Sequence, residues 1–224
     1  MTFTAKGRLL KRPAFSTGES MKLHWSPRSP FVRKVMVAAH ELGLAEKIEC
    51  VRSVAAMGKP NPAIMLDNPL SKIPALVLGD GTVLVDSAVI IEYLDSLAGG
   101  GRLLAPAGRQ RWLVLSRQAL ADGLLDLLVL WRNEREKPAG RQTHDWLDAF
   151  AIKAAATLDR LEAEAGALEC EPFGIGHIAV GCALSYLDFR FADLAWREGR
   201  PRLTAWQATF AARPSAKATE IVDG

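Results

Sequence analysis

The stretch Leu23-His24-Trp25-Ser26-Pro27-Arg28-Ser29-Pro30-Phe31-Val32-Arg33 limits more than any other how this chain can fold. Leu23 to Trp25 is a short apolar entry that reads as a strand, and two Ser-Pro steps then turn the chain into a strongly periodic segment. Ser29 suits an N-cap, and Pro30 has the fixed φ and missing N–H that fit the first helical position. Val32, Val35, Met36, Ala39 and Leu42 recur at helical spacing, Arg33, Lys34, His40 and Glu41 point the other way, and Gly43 ends the run. The pattern predicts an amphipathic helix, starting at Ser29, that lies on a sheet. A serine hydroxyl at such a start sits beside unpaired N–H groups and the positive end of the helix dipole, so Ser29 either only caps or also holds an anion.

Residues 47–54 alternate polar and apolar and read as a second strand, which completes a first βαβ unit. Residues 55–68 are broken by Pro60 and Pro62 and leave room for one short helix around residues 63–66. Pro74 stands directly ahead of the apolar run Ala75-Leu76-Val77-Leu78, where a residue without an N–H is tolerated at the start of a strand. Gly79-Asp80-Gly81 reads as a hairpin turn, residues 83–85 as the returning strand, and Asp86-Ser87 as the cap of a helix with Ile90, Tyr93, Leu94 and Leu97 on one face. Glycine and proline then crowd residues 98–108, which read as a linker.

Beyond the linker the pattern is helical throughout. Residues 109–135 carry Leu120, Leu124, Leu127, Leu128 and Trp131 on one stripe, and Leu125, Val129 and Leu130 make this helix apolar almost all round. It is expected to be buried on several sides, one of them by a second subunit, with Asp122 and Asp126 lining a cleft or a subunit contact. Residues 143–164 form a helix capped by Thr143, with Trp146, Phe150, Ala154, Leu158 and Leu161 inward; residues 176–192 form an apolar central helix, and residues 202–212 close the bundle.

Charge and cysteine content exclude several classes of function. Lys6, Arg8, Lys11 and Arg12 against Glu19 give residues 1–20 a net +3, equal to that of the whole chain, so the body from Met21 on is neutral. A nucleic-acid-binding domain carries its basic excess on the folded part. Residues 1–20 read as a disordered extension or as sequence ahead of a start at Met21, with a transit peptide as the alternative. No run approaches the roughly 18 apolar residues of a membrane span. Cys50, Cys170 and Cys182 are few, odd and scattered, which suits small buried apolar residues in a reducing compartment and neither a disulfide framework nor a zinc site. Gly174-Ile175-Gly176 with Gly181 misses the dinucleotide spacing and follows no strand.

The order β-α-β-α-β-β-α, with Ser-Pro-Phe at a helix start, Lys72-Ile73-Pro74-Ala75-Leu76 before the hairpin and Asp86-Ser87 after it, resembles the thioredoxin-like half of cytosolic glutathione S-transferases, serine-type and bacterial-like. The resemblance implies an α/β thioredoxin-like N-terminal domain at residues 21–98, a linker at 99–108 and an all-α helical-bundle C-terminal domain at 109–224. It implies a glutathione transferase, with another glutathione-dependent reaction on the same fold (isomerase, peroxidase or etherase) or a non-catalytic ligand- or partner-binding protein as the alternatives, glutathione as cosubstrate, no metal, a cytoplasmic homodimer, and no nucleic-acid or membrane partner. Ser29 corresponds to the thiol-activating serine, with Ser26 as the alternative. Ile73 and the cis-proline corner at Pro74 would meet the cysteinyl part of glutathione, Asp86 and Ser87 its γ-glutamyl end, and Lys72 and Lys59 its glycyl carboxylate. A hydrophobic electrophile would lie near Trp25, Arg28, Asp122, Asp126 and Trp131. Where the family opens its central helix with a Ser/Thr-x-x-Asp capping box, this chain has Gly174 and His177, a weakened folding device.

The chemistry asked of Ser29 is modest. Lowering a thiol pKa from about 8.5 by roughly two units takes about 2.7 kcal/mol. A hydrogen bond to a charged sulfur is worth about 1.5–3 kcal/mol and a helix start adds roughly 0.3–1. Ser29 need only donate to the thiolate. Without cysteine at 26 or 29, disulfide exchange and dehydroascorbate reduction lose their nucleophile, and the zeta-type isomerase start Ser-Ser-Cys is not met.

Overall fold

A computed structural model describes residues 20–223, so the expectation for the extension falls, Ser20 apart, outside the described residues. Strand β1 (Met21–Trp25) pairs in parallel with β2 (Ile48–Arg52), placing Leu23 opposite Cys50, and antiparallel with β3 (Leu76–Val77), placing Leu23 opposite Leu76. β3 returns antiparallel to β4 (Val83–Leu84), giving the order β2-β1-β3-β4. A parallel pair needs a crossover. Helix α1 (Pro30–Leu42) supplies it, and Gly43 closes it at φ 72° with its N–H on Ala39 and His40 carbonyls, a left-handed position that glycine fills without strain. Helix α2 (Pro62–Met65) follows β2, and α3 (Ser87–Leu97) leaves β4 behind an Asp86 cap.

One expectation about α1 is corrected. Arg33 and Lys34, expected on the solvent face, are both buried, Lys34 completely. The helix packs on α3 on one side and on α7 (Ile175–Arg190) of the helical half on the other, so only His40 near its end is fully open. A helix between two layers has no polar face, and any charge on it must find partners inside.

The linker is built rather than slack. Buried Asp95, near the end of α3, accepts the N–H groups of Gly101 at 2.9 Å, Arg102 at 3.1 Å and Leu103 at 2.9 Å. From there α4 (Gly108–Arg135) packs along α7, which is buried through most of its length, while α5 (His144–Ala163), α6 (Ala165–Cys170), α8 (Pro201–Ala211) and α9 (Pro214–Lys217) complete the bundle. The buried side of α4 is not purely aliphatic, since Arg117, Gln118 and Glu134 share it with Leu124, Leu125, Leu128 and Trp131.

Further corrections concern single residues. Thr143 holds the N-cap position of α5 without a side-chain cap bond; its N–H donates to Glu134 instead. Trp146, expected inward, is exposed. Cys50 and Cys170 are exposed, and Cys182 alone is buried, because β2 is an edge strand and α6 a surface turn. The start of α7 is not weakened. The Gly174 N–H donates to His177 Nδ1 at 3.2 Å, the Ile175 N–H donates to the Leu103 carbonyl at 2.9 Å, and a Cβ on Gly174 would lie 2.5 Å from that same oxygen. Glycine is there because the linker backbone occupies the space of a side chain.

Candidate functional site

β1 delivers Trp25 into a turn that closes through the Ser29 N–H on the Ser26 carbonyl at 3.2 Å. Ser29 Oγ accepts from the Val32 N–H at 3.3 Å, and Ser26 Oγ accepts from the Arg28 N–H at 3.4 Å. Each bond uses an acceptor lone pair and leaves the hydroxyl proton to be donated. Both serines are half-buried, so either can meet a ligand lying over the turn. Ser29 has the better electrostatics, standing at the N-terminus of a 13-residue helix.

The Ile73–Pro74 bond is cis, with Pro74 buried and Ile73 half-buried ahead of β3. At the start of α3, Asp86 Oδ1 accepts from the Ala88 N–H at 2.9 Å, while the buried Ser87 Oγ accepts from Lys34 Nζ at 3.1 Å. Lys34 in turn is paired with Asp122 of α4, and Gln118 Nε2 reaches the other oxygen of Asp122 at 3.4 Å. Asp126, one turn on, has its carboxyl raised above the ordinary range by partial burial. Lys72 and Lys34 pull it down, and the negative charges of Asp122 and Asp86 push it up. Lys72, Asp86, Ser87, Asp122 and Asp126, read from three separate stretches, thus share one electrostatic cluster at the junction of the two halves.

The remaining expected residues lie elsewhere. Lys59 stands on an exposed turn bridged to Ala56. Trp25 is half-buried with the Arg52 guanidinium 5.8 Å from its ring, and Arg28 is exposed and paired with Asp223 at 3.3 Å. Trp131 is in the bundle core, 5.1 Å from the Phe191 ring and 6.4 Å from Phe150. Nine residues beyond Asp122, it is about 13 Å farther along the helix axis.

Sequence reading missed Lys34 and a second group, His24 with Ser53 and Asp67. Asp67 Oδ2 accepts from His24 Nε2 at 2.8 Å, and Ser53 Oγ, which also reaches the Val51 carbonyl at 3.1 Å, faces Nδ1 at 2.8 Å. Buried Asn68 adds bonds from the Leu70 N–H and to the Lys72 carbonyl. Together they fasten residues 67–72 to β1 and β2, which fixes the approach to Pro74. The alternation of polar His24 with Leu23 in a strand was the available signal, but its partners lie 29 and 43 positions away.

Among the described residues, no group of three or more His, Cys, Asp or Glu side chains is placed to hold a metal, and no helix is long and apolar enough to cross a membrane. Residues 28–97 match the family model "Glutathione S-transferase, N-terminal domain" and residues 145–207 match "Glutathione S-transferase, C-terminal domain". The chain is 31% identical to the uncharacterized GST-like protein YibF of Escherichia coli over 202 residues, 89% of this chain and 98% of that protein. It is 27% identical over 156 residues to a maleylacetoacetate isomerase of Pseudomonas aeruginosa, covering 65% of this chain and 71% of the isomerase. A glutathione transferase family member from Pseudomonas fluorescens Pf-5, solved with bound glutathione, superposes with a TM-score of 0.88 at 43% identity, over 91% of this chain and 100% of that one.

Proposed function

This chain belongs to the glutathione S-transferase family, and we propose that it is a serine-type glutathione transferase, which binds reduced glutathione in residues 21–98 and activates its thiol at Ser29. The observation that carries this reading is Ser29 at the cap of α1. Its oxygen is engaged by the Val32 N–H and its proton is left to donate beside the positive end of the helix. Ile73 and Pro74 would hold the cysteinyl part, Asp86 and Ser87 the γ-glutamyl end, and Lys72, with Lys59, the glycyl carboxylate. The thiolate then attacks an electrophile lying between the turn 26–29 and the helical half. Three free cysteines and a thiol cosubstrate suit a reducing compartment, the cytoplasm.

An ultraviolet titration of bound glutathione tests this. The wild-type thiol should titrate one to two units below that of free glutathione, and Ser29→Ala should restore it, with glutathione affinity kept within several-fold. An unshifted thiol on a tightly bound glutathione would leave a binding protein without activation; an unaltered Ser29→Ala would move the role to Ser26.

Isomerisation is the second reading, favoured by the likeness to the Pseudomonas aeruginosa isomerase and opposed by the absence of cysteine in the turn. A substrate panel run with and without glutathione separates the two. Association into a homodimer is supported by large apolar side chains left in solvent on both halves, Met57, Leu66 and Val89 on the first and Trp112, Leu113 and Leu130 on α4. Sedimentation equilibrium giving twice the chain mass is the expected result.

A further inference from the structure

Three side chains from distant parts of the sequence converge beside the turn that holds the two serines. Arg28 lies in that turn, Arg190 is the last residue of α7, and Asp223 follows α9. Arg28 Nε is 3.3 Å from Asp223 Oδ1, and Arg190 Nη2 donates to the same oxygen at 3.4 Å. Two guanidinium groups thus share one carboxylate oxygen.

The three are not equally committed. The Arg28 and Asp223 side chains are 48% and 61% exposed, and an ion pair so open to water is weak. Arg190 is only 19% exposed, its guanidinium sits 3.9 Å over the Phe189 ring, and its Nε is buried without an acceptor. A planar guanidinium edge with one of its two nitrogens unpaired is shaped for a carboxylate taken by two parallel bonds. Asp223, on a two-residue tether from Ile221, which packs against the core, meets only Nη2 of that edge.

We propose that the electrophile taken by this cleft carries a carboxylate, bound by Arg190 and Arg28, and that Asp223 occupies its place in the free protein. The inference rests on the transferase reading above, because it assigns the second substrate of that same site. Arg28 is the neighbour of Ser29, so an acid held by it lies beside the glutathione sulfur. A thiolate and an anionic electrophile repel each other, and the two guanidinium groups offset that repulsion where it would arise. For a 2-enoic acid the step is an addition. The sulfur bonds carbon 3, the π pair moves to carbon 2, and carbon 2 takes through water the proton that the thiol released, with nothing oxidised and no group leaving.

Calorimetric titration with S-(2-carboxyethyl)glutathione and with S-propylglutathione tests the assignment. The acid conjugate should bind wild type about tenfold more tightly than the propyl one. Arg190→Met should erase the difference, and Asp223→Asn should strengthen the acid conjugate several-fold by withdrawing its competitor. If Arg190→Met does not fold, Arg28→Gln, at an exposed position, should reduce the same preference. Equal binding of the two conjugates by wild type, with glutathione itself still bound, overturns this proposal alone, as does a preference that survives both arginine substitutions. Failure to bind glutathione and both conjugates overturns the transferase reading together with it.

Discussion

Lys34 shows what a single charge costs when it leaves water. Its side chain has no exposure, and its ammonium is held by Ser87 Oγ and the Asp122 carboxylate. Removing the two partners should not be equivalent. Asp122→Asn strands a buried ammonium and should cost about 3 kcal/mol in urea unfolding, whereas Lys34→Met leaves a carboxylate that still reaches solvent and should cost roughly 1 kcal/mol. The double variant Lys34→Met/Asp122→Leu should recover part of the larger loss; additive losses would show that the pair is not coupled. The spacing of apolar residues revealed that position 34 is helical but not that it is buried. Its partners stand 53 and 88 positions away, on elements whose packing the local pattern does not encode.

Caps were the most legible elements because they are local. Ser29-Pro30 and Asp86-Ser87 each carry, within three residues, the atoms that start their helices. Gly174 looks like a loss in the sequence for the opposite reason: what it accommodates is a carbonyl from residue 103, far off in the chain. Restoring the family-like serine is therefore a sharp test. Gly174→Ser introduces a Cβ 2.5 Å from the Leu103 oxygen and should lower the melting temperature by several degrees, about 1–3 kcal/mol of overpacking, although serine is the better cap in isolation. A raised melting temperature would mean that the linker yields. The shortness of β3 and β4, two residues each, was likewise hidden, since the apolar runs around them continue into the turns.

For the whole molecule, the division into a mixed sheet half and a helical half followed from the change of period at the glycine-rich segment, and the seam between them did not. His177, inside the helical half, is likewise set by distant packing. Its Nδ1 accepts from the Gly174 N–H and its Nε2 donates to the Leu168 carbonyl at 3.2 Å. Burial, aided by the positive charge of Arg117, holds its pKa down to about 4, against 6.5 for a free imidazole. The unfolded chain therefore takes up a proton that the folded one refuses. The part of the stability owed to this imidazole, present in full above pH 6.5, should fall as the pH drops towards 4, by on the order of 3 kcal/mol at about 1.4 kcal/mol per unit. Urea midpoints measured across that range should show the slope, and His177→Asn, which keeps an acceptor for the Gly174 N–H, should flatten it.

The Lys34–Asp122 pair also governs what can be inherited separately. A recombined gene that joins this first half to a helical half lacking the carboxylate produces a stranded ammonium, and one that joins this helical half to a partner lacking the lysine leaves Asp122 with Gln118 and no cation. Neither single exchange is neutral, so positions 34 and 122 should pass between lineages as a unit, and the boundary at the linker is a poor place to cut and rejoin.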